Sequence, residues 1–374
     1  MLGVLRRQLF LDKIVEHFSK RRVESLDAAV RIALRLGLYQ LRFLTRVPAS
    51  AAVNESVSLV RAARLSSATA FVNAVLRRAV READYDPASD VSDPLEKIAV
   101  QTSHPAWLIQ RWTNAFGIEE AEAFARANNV APPTTFRVVA NRANQSEILL
   151  RLSAAGAVLE SSDIVNGAWR VTGATSILRE LAAAGEIYLQ DEASQLVAHT
   201  MDVKPGERVL DLCAAPGGKT TLMADSAGDA ADIIAADRSA TRLSTVVATM
   251  RLHELKSIRP VILDATEQLP FAPESFDKVL VDAPCSGTGT LRANPEIRWR
   301  LAPGDFESLA AQQKRILSRA ITVLKPGGRL VYSTCSIERD ENEEVIEGLK
   351  LLKTIRTWPH REGSDGFFMA IVEK

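Results

Sequence analysis

Five short apolar segments between residues 206 and 333 alternate with stretches of helical periodicity, and this alternation constrains the fold most strongly. The segments are RVLDL, DIIAAD, PVILD, KVLVD and RLVYS, and four of the five end within one residue of an aspartate. Apolar strands separated by helices form a parallel sheet. In an open α/β sheet, ligands bind outside the carboxyl ends of the strands. The sequence therefore predicts a ligand site at one edge of a sheet, lined by acidic side chains.

The remainder of the chain has a different periodicity. Residues 1–82 carry apolar residues three and four apart, as in AAVRIALRLGLYQLRFL, which predicts an all-helical module. Residues 83–133 contain the Pro-punctuated DYDPASDVSDPLEK and the helical SHPAWLIQRWTNAFG, which predict a linker and connecting helices. In residues 134–205, strand-like TFRVVAN and AWRVTG alternate with helix-like SEILLRLSAAG and SILRELAAAG. We expect a small α+β domain there, followed by the α/β domain in residues 206–374.

Charge is distributed unevenly along the chain. The formal net charge of the whole sequence is zero, yet residues 1–82 contain 15 Lys/Arg against 6 Asp/Glu, a net charge of +9. Such an excess indicates a negatively charged partner, although solvated arginine faces on a helical domain would give the same count. No apolar run approaches the roughly 18 residues that a membrane span needs, and arginines stand early in place of a signal-peptide core. We therefore expect a cytoplasmic protein.

The segment CAAPGGKTTLMADSAG follows strand RVLDL and forms a small-residue loop that opens a helix. It is not a phosphate-binding P-loop, because the P-loop pattern GxxxxGK[ST] would need a glycine in place of Cys213. It also lacks GxGxxG, the fingerprint of a dinucleotide-binding loop. Such a loop brings backbone close to a ligand at a helix N-terminus, which favours a carboxylate. Asp237 lies about 20 residues beyond the glycines, where an acid binds ribose hydroxyls. Asp264 can accept a hydrogen bond from an exocyclic amine. This combination predicts S-adenosylmethionine.

The three cysteines are too few for a disulfide framework, and no pattern predicts a zinc site. Taken alone, Cys335 after strand RLVYS would be a small buried hydrophobic residue. Cys285, however, follows strand KVLVD, so both thiols lie at strand ends where the cofactor is expected. Carbon 5 of a pyrimidine can attack a methyl group once a thiolate has added to carbon 6, which is covalent catalysis. Asp282 can hydrogen-bond the cytosine edge and stabilise the charge developing on N3.

Two other functions fit parts of the sequence. A methyltransferase acting on an amino nitrogen would use the same cofactor, but such enzymes carry an Asn/Asp-Pro-Pro-Tyr pattern after the fourth strand, where this chain has Asp-Ala-Pro-Cys. A non-catalytic RNA-binding or ribosome assembly factor would need only the basic helical module. Such a factor would have little reason to keep Cys285, Cys335 and Lys219.

The chain contains DLCAAPGGKT, VDAPCSGTGTLRANPEIRWR, STCSIERDENE and WPHREGSDGFFMA, together with VNAVLRR and VPASAAVNESV nearer its start. This combination resembles the bacterial RNA cytosine-5 methyltransferases of the Sun/Fmu or RsmB type, which modify 16S ribosomal RNA. The resemblance implies a multidomain chain: an all-α NusB-like N-terminal domain, a small α+β domain, and a C-terminal α/β Rossmann-like class I S-adenosylmethionine-dependent methyltransferase domain. NusB-like domains of this group begin before the equivalent of MLGVLRRQ, so we expect a first domain shortened at its N-terminus.

The resemblance also assigns roles to residues. Cys335 corresponds to the nucleophile, and Cys285 to the residue that helps break the covalent enzyme–RNA adduct. The implied cofactor site consists of Cys213, Ala214, Ala215, Pro216, Gly217, Gly218, Lys219, Asp237, Asp264 and Asp282. The Cys213 thiol receives no catalytic part. The implied partner is small-subunit ribosomal RNA, and we expect a monomer that needs no metal ion and does not bind a membrane.

Overall fold

The structure, a computed structural model, describes all 374 residues. Contacts divide the chain into two compact units, which consist of residues 1–130 with 291–300 and of residues 131–290 with 301–374. The segment Leu291–Arg300 thus leaves the predicted α/β range of residues 206–374 and packs with the first unit. No helix combines the length and the apolar character that crossing a membrane would require.

The first unit is helical throughout, which confirms the prediction for its opening residues. Two of its helices start at aspartate caps. The Asp27 carboxylate accepts from the Ala29 N–H, and the Asp93 carboxylate accepts from the Glu96 N–H. Asp93 is followed by a proline at the first helical position. The helices are α1 (Leu2–Arg6), α2 (Gln8–Ser19), α3 (Ala28–Phe43), α4 (Ala49–Ala62), α5 (Thr69–Arg81), α6 (Pro94–Thr102), α7 (Ala106–Phe116) and α8 (Ile118–Ala127).

A buried guanidinium holds the segment Leu291–Arg300 in this helical unit. Arg298 is fully buried and donates to the Ser103 carbonyl at 3.2 Å, the Asn129 side-chain oxygen at 3.0 Å and the Asn128 carbonyl at 3.1 Å. Burial lowers the pKa of Arg298 to about 9. Oxygen atoms just beyond the C-terminal ends of α6 and α8 thus replace the water that a buried cation would lose. The segment begins directly after the loop that carries Cys285.

The second unit contains two sheets, of which the smaller has four antiparallel strands in the order β2-β3-β1-β4. Its elements are β1 (Thr134–Val138), α9 (Gln145–Ala154), β2 (Val158–Ser161), β3 (Ala168–Thr172), α10 (Thr175–Ala183) and β4 (Ile187–Leu189). Phe136 of β1 packs with Leu152 of α9 and Leu181 of α10, so both helices cover the sheet. This is the α+β arrangement that the sequence predicts, with two short strands, β2 and β4, that it did not.

The larger sheet has seven strands in the order β10-β11-β9-β8-β5-β6-β7. The five strands predicted from the sequence run parallel, while β11 pairs antiparallel with β9 and β10 pairs antiparallel with β11. The elements are α11 (Glu192–Met201), β5 (Arg208–Asp211), α12 (Gly218–Ser226), β6 (Asp232–Asp237), α13 (Ala240–Leu252), β7 (Ile258–Ile262), β8 (Phe276–Asp282), α15 (Asp305–Val323), β9 (Leu324–Thr334), β10 (Leu351–Thr357) and β11 (Phe367–Glu373). The short helix α14 (Ile297–Arg300) belongs to the first unit.

Helices cover both faces of this sheet. Helices α11 and α12 pack on one face around Val209 and Ile233, and α15 packs on the other around Val279 and Leu330. Helix α11 lies within the range predicted for the small domain, residues 134–205, but its buried side chains pack with the seven-stranded sheet. With both faces covered, the exposed carboxyl edge of the parallel strands is left to hold a ligand.

Candidate active site

Two glycines shape the loop between β5 and α12. Gly217 has a φ of +107°, and a β-carbon added there would approach the Val246 Cα at 3.1 Å. A β-carbon on Gly218 would meet the Tyr188 ring at 2.9 Å, because strand β4 of the small sheet packs against the start of α12. Only glycine combines this backbone conformation with such close contact. The two glycines therefore let the loop pack closely against α13 and β4, and the approach of a ligand to the loop backbone stays a prediction.

Two of the three predicted acids of the cofactor site lie at the end of β6 and just beyond β7. Asp237 is 3% exposed; its carboxylate accepts from the Ser239 N–H at 2.9 Å and lies 3.6 Å from the Arg242 guanidinium. Asp264 accepts from the hydroxyl and the N–H of Thr266, and these bonds hold the pKa of Asp264 below its usual value. Both side chains are therefore oriented by neighbouring donors.

Asp282, at the end of β8, is paired with Lys219 from the cofactor loop. The Lys219 ammonium lies 2.7 Å from one Asp282 oxygen, and the Ser333 hydroxyl donates to the other oxygen at 2.7 Å. Burial alone would lower the pKa of Lys219, but the Asp282 carboxylate raises it above its usual value. The lysine predicted to contact the cofactor thus carries a positive charge beside the predicted base-binding acid.

The structure brings the two cysteines of the strand ends together. The Cys285 and Cys335 sulfur atoms are 3.3 Å apart, although the residues are 50 positions apart in sequence. The Gly289 N–H donates to the Cys335 carbonyl at 2.9 Å, which ties the two loops through the backbone. The hydrogen bond with Cys335 and burial raise the pKa of Cys285 well above its usual value. Cys285 is accordingly a neutral thiol at physiological pH.

A cavity of about 220 Å³ joins most of these groups. Its lining includes five predicted cofactor residues and both strand-end cysteines: Cys213, Ala215, Asp237, Asp264, Asp282, Cys285 and Cys335. A second cavity of about 170 Å³ lies against the other side of the loop and is lined by Ala214, Pro216, Gly218, Lys219 and Asp282 together with Tyr188, Gln190 and Ser194. Gly217 lines neither cavity, so its part is to shape the loop. Burial raises the pKa of the Cys213 thiol, which therefore stays protonated.

The donors and acceptors of the larger cavity fit S-adenosylmethionine. Asp237 offers a carboxylate suited to two ribose hydroxyls, and Asp264 offers one suited to an amine. The loop backbone at Cys213 and Ala215 offers polar groups beside the start of α12, where a ligand carboxylate is favoured. No group of three or more His, Cys, Asp and Glu side chains is arranged to hold a metal ion.

Several residues of this site received no role from the sequence. Asp211, at the end of β5, is 1% exposed and lines the smaller cavity; burial raises its pKa to about 7. Ser286 and Ser336 follow the two cysteines and contact the buried Glu341. Asp211 could have been found by the rule used for the other strand-end acids. The serines and Glu341 gave no comparable signal, because their contacts join segments distant in sequence.

Comparisons with known proteins agree with this architecture. Residues 198–354 match the family described as 16S rRNA methyltransferase RsmB/F, residues 1–81 the NusB family, and residues 104–178 the ferredoxin-like domain of RsmF/B-like methyltransferases. The chain is 33% identical over 398 residues to the probable ribosomal RNA small subunit methyltransferase B of Bacillus subtilis, covering all of this chain and 88% of that protein. It is 36% identical to the corresponding protein of Pseudomonas putida, covering 92% and 78%.

Solved structures give the same result. The crystal structure of PH0851 matches with a TM-score of 0.86 and 30% identity, covering all of this chain and 88% of that one. A methyltransferase homologue from Pyrococcus horikoshii matches with a TM-score of 0.67 and 26% identity over 76% of this chain and 100% of that one. The predicted fold class and the predicted cofactor, S-adenosyl-L-methionine, are confirmed. The chain belongs to the 16S rRNA methyltransferase RsmB/F family.

Proposed function

We propose that this methyltransferase modifies carbon 5 of a cytosine in 16S ribosomal RNA through a transient bond between Cys335 and carbon 6 of the base. The observation that carries the proposal is the pair of sulfur atoms, Cys285 and Cys335, 3.3 Å apart beside the cofactor cavity. The relatives in Bacillus subtilis and Pseudomonas putida are named as small-subunit ribosomal RNA methyltransferases, which supports the choice of RNA. The proposed setting is the cytoplasm, and the chemistry involves no metal ion.

The Cys335 thiolate starts the proposed reaction. Its sulfur forms a bond to carbon 6, and the electrons of the C5–C6 double bond make carbon 5 a nucleophile. S-adenosylmethionine, which Asp237, Asp264 and the loop backbone would hold, would supply an electrophilic methyl group to carbon 5 and keep the electrons of the methyl–sulfur bond. A base then removes the carbon 5 proton, the double bond reforms, and the carbon 6–sulfur bond breaks with its electrons returning to Cys335. We propose that Cys285 assists this release, and the 3.3 Å separation of the two sulfur atoms supports that role.

Asp282 and Lys219 are proposed to bind the base edge. The Asp282 carboxylate can accept from the exocyclic amine of cytosine. The Lys219 ammonium lies 2.7 Å from that carboxylate and is proposed to stabilise negative charge as it spreads over the ring after thiolate addition. A nucleotide stacked in an RNA helix cannot reach this crevice, so the target base must be unpaired or flipped out. The pair thus recognises cytosine and lowers the energy of the adduct.

Tritium release tests the position of methylation directly. We expect small-subunit ribosomal RNA transcribed with [5-³H]cytidine to lose one tritium to water for every methyl group transferred, because the carbon 5 hydrogen must leave. RNA labelled at another ring position serves as the control and should retain its label. Methyl incorporation without tritium release would contradict carbon 5 chemistry and favour an amino nitrogen as the target.

The basic helical module is proposed to contact RNA phosphates. Eight of its lysines and arginines are exposed: Lys20, Arg21, Arg22, Arg46, Arg61, Arg64, Arg77 and Arg81. Each phosphate contact releases counterions, so RNA affinity should fall steeply as salt rises.

Replacing Arg61 and Arg64 together by alanine should reduce the logarithmic salt slope by about 2 if both contact phosphates. Titrations at several salt concentrations measure the slope. Lys350→Ala, which removes an exposed charge outside this module, should leave it unchanged. A wild-type affinity insensitive to salt would contradict a phosphate-led interface.

A further inference from the structure

Glu341 is a fully buried carboxylate whose four hydrogen bonds come from three separate segments. Its Oε1 accepts from the Ser286 N–H at 2.8 Å and from the Gln313 side-chain amide at 3.0 Å. Its Oε2 accepts from the Ser286 and Ser336 hydroxyls, each at 2.5 Å. Burying a carboxylate is costly unless donors replace its water, and all four here are supplied by the protein.

These donors belong to the loops that carry the two cysteines. Ser286 directly follows Cys285, and Ser336 directly follows Cys335. The Gln313 amide on α15 also donates to the Pro284 carbonyl at 2.9 Å, which holds the Cys285 loop from its other side. One carboxylate thus joins both cysteine loops to the helix behind them.

The backbone of Glu341 is itself fixed, so the carboxylate acts from a rigid support. The buried Tyr332 hydroxyl, on β9, donates to the Glu341 carbonyl at 2.5 Å. The neighbouring Asn342 amide donates to the Ser336 carbonyl at 2.9 Å and accepts from the Thr334 hydroxyl at 2.6 Å. If the Glu341 carboxylate stabilised only the turn of its own segment, it would not need hydrogen bonds from Ser286 and Gln313, which lie on other segments.

The charges around the two thiols differ. The hydrogen bond with Cys335 and burial contribute most to the raised pKa of Cys285, and the Glu341 charge acts in the same direction. On the other side, Lys219 lies close enough to Cys335 for the two groups to interact, since a Cys335 charge adds to the effect of Asp282 on the lysine. The Glu341 charge thus acts on Cys285, while the Lys219 ammonium stays paired with Asp282 at 2.7 Å.

We propose that Glu341 is a positioning residue that clamps the two cysteine loops, so that the Cys335 sulfur can attack while the Cys285 sulfur stays within reach of the same adduct. This inference rests on the proposed two-cysteine chemistry. Glu341 lines neither cavity, so it acts through Ser286 and Ser336 and does not touch the cofactor. Without the clamp, the Gly289–Cys335 backbone bond would remain, but the residues that follow the two cysteines would lose their shared side-chain anchor, and we expect the 3.3 Å separation of the sulfur atoms to be lost.

A cross-linking experiment tests the geometry without RNA. Diamide joins two adjacent thiols: a sulfur–sulfur bond forms, and the two thiol hydrogens with their electrons pass to the N=N bond of the reagent. We expect Glu341→Ala to form the Cys285–Cys335 disulfide about 10- to 100-fold more slowly than the wild type, because a displacement of about 1 Å has effects of this size. Peptide mass spectrometry of quenched samples gives the rate. The exposed Glu344, changed to glutamine, is the matched control and should cross-link at the wild-type rate.

Two further variants separate the clamp from a general loss of folding. Glu341→Gln keeps an oxygen for the two N–H donors and an amide that can bond the serine hydroxyls, so it should restore most of the cross-linking rate. Ser286→Ala combined with Ser336→Ala removes both hydroxyl donors and should slow cross-linking even though Glu341 is retained. Calorimetric titration with S-adenosylmethionine reports an intact cofactor site in each variant. A wild-type cross-linking rate in Glu341→Ala that still binds the cofactor would overturn the proposal.

Turnover measurements connect the clamp to catalysis. With ribosomal RNA, Glu341→Ala should lower kcat by about 100-fold while the KM for S-adenosylmethionine stays near the wild-type value. Glu341→Gln should recover a substantial part of kcat. Equal changes in kcat and in that KM would indicate a collapsed site and contradict a positioning role. Should wild-type protein release no tritium, the carbon 5 proposal fails, whereas the cross-linking rates still decide whether Glu341 positions the cysteines.

Discussion

Replacing Cys335 by alanine is expected to lower the rate of methyl transfer to ribosomal RNA by about 10⁴-fold or more, the size of effect seen when a covalent nucleophile is removed. Without the thiolate, carbon 5 of cytosine does not become nucleophilic enough to attack the methyl group. Binding of S-adenosylmethionine should persist, since the acids at the strand ends are unchanged. Incorporation of a labelled methyl group into RNA measures the first effect, and calorimetric titration measures the second.

The third cysteine provides the control for this variant. Cys213 lines the same cavity, but only its backbone is assigned to the cofactor, so Cys213→Ala should still produce 5-methylcytosine. If Cys335→Ala transferred methyl groups at the wild-type rate, covalent catalysis by this residue would be excluded. Methylation of an amino nitrogen would then be the better account of the site.

Replacing Asp282 by asparagine is expected to lower kcat by about 10²- to 10³-fold, as the loss of one preorganised polar group in an active site commonly does. The carboxylate pairs with Lys219 and accepts from Ser333, each at 2.7 Å, and it lines both cavities. The asparagine amide removes the negative charge that pairs with Lys219. Its N–H group would also face the exocyclic amine of cytosine, so that two hydrogen-bond donors would oppose each other. Single-turnover methylation of ribosomal RNA measures the effect.

The same strand offers a matched control. Asp277, near the start of β8, accepts from the Lys325 ammonium at 2.5 Å and from the Arg208 N–H at 2.8 Å, away from both cavities. Asp277→Asn removes an ion pair of the same type. Because this ion pair is partly exposed, its loss should cost little stability. Similar activity of Asp277→Asn and Asp282→Asn would show that position in the cavity is irrelevant and would contradict the role given to Asp282.

The features predicted from the sequence are those with a local signal. Short apolar strands ending in aspartate indicated the five parallel strands, and the position of Asp237 about 20 residues after the glycines indicated the ribose site. Strands β10 and β11 were not predicted, because LLKTIRT and FFMAIVE follow no crossover helix and pair antiparallel as an added edge. The packing of Leu291–Arg300 with the first unit likewise has no local sequence signal. It depends on the contacts of Arg298 with distant carbonyls.

The contacts between residues of the site were harder to predict from the sequence than the identity of those residues. The sequence placed both cysteines at one edge of the sheet, but their 3.3 Å separation depends on how two loops 50 residues apart fold back on each other. Lys219 was assigned to the cofactor because of its place in the loop, and its partner Asp282 is 63 residues away. Glu341 lies in an acidic run that looks solvent-exposed in sequence, yet it is buried because four donors converge on it.

The most direct test is to incubate the Cys285→Ala variant with small-subunit ribosomal RNA and S-adenosylmethionine and to separate the products by denaturing electrophoresis. If Cys335 bonds to carbon 6 and Cys285 assists release, the variant should accumulate a covalent protein–RNA species. That species should disappear in the Cys285→Ala, Cys335→Ala double variant. An adduct that persists in the double variant, or no adduct from Cys285→Ala on RNA that the wild type converts to 5-methylcytosine, would contradict the two-cysteine account.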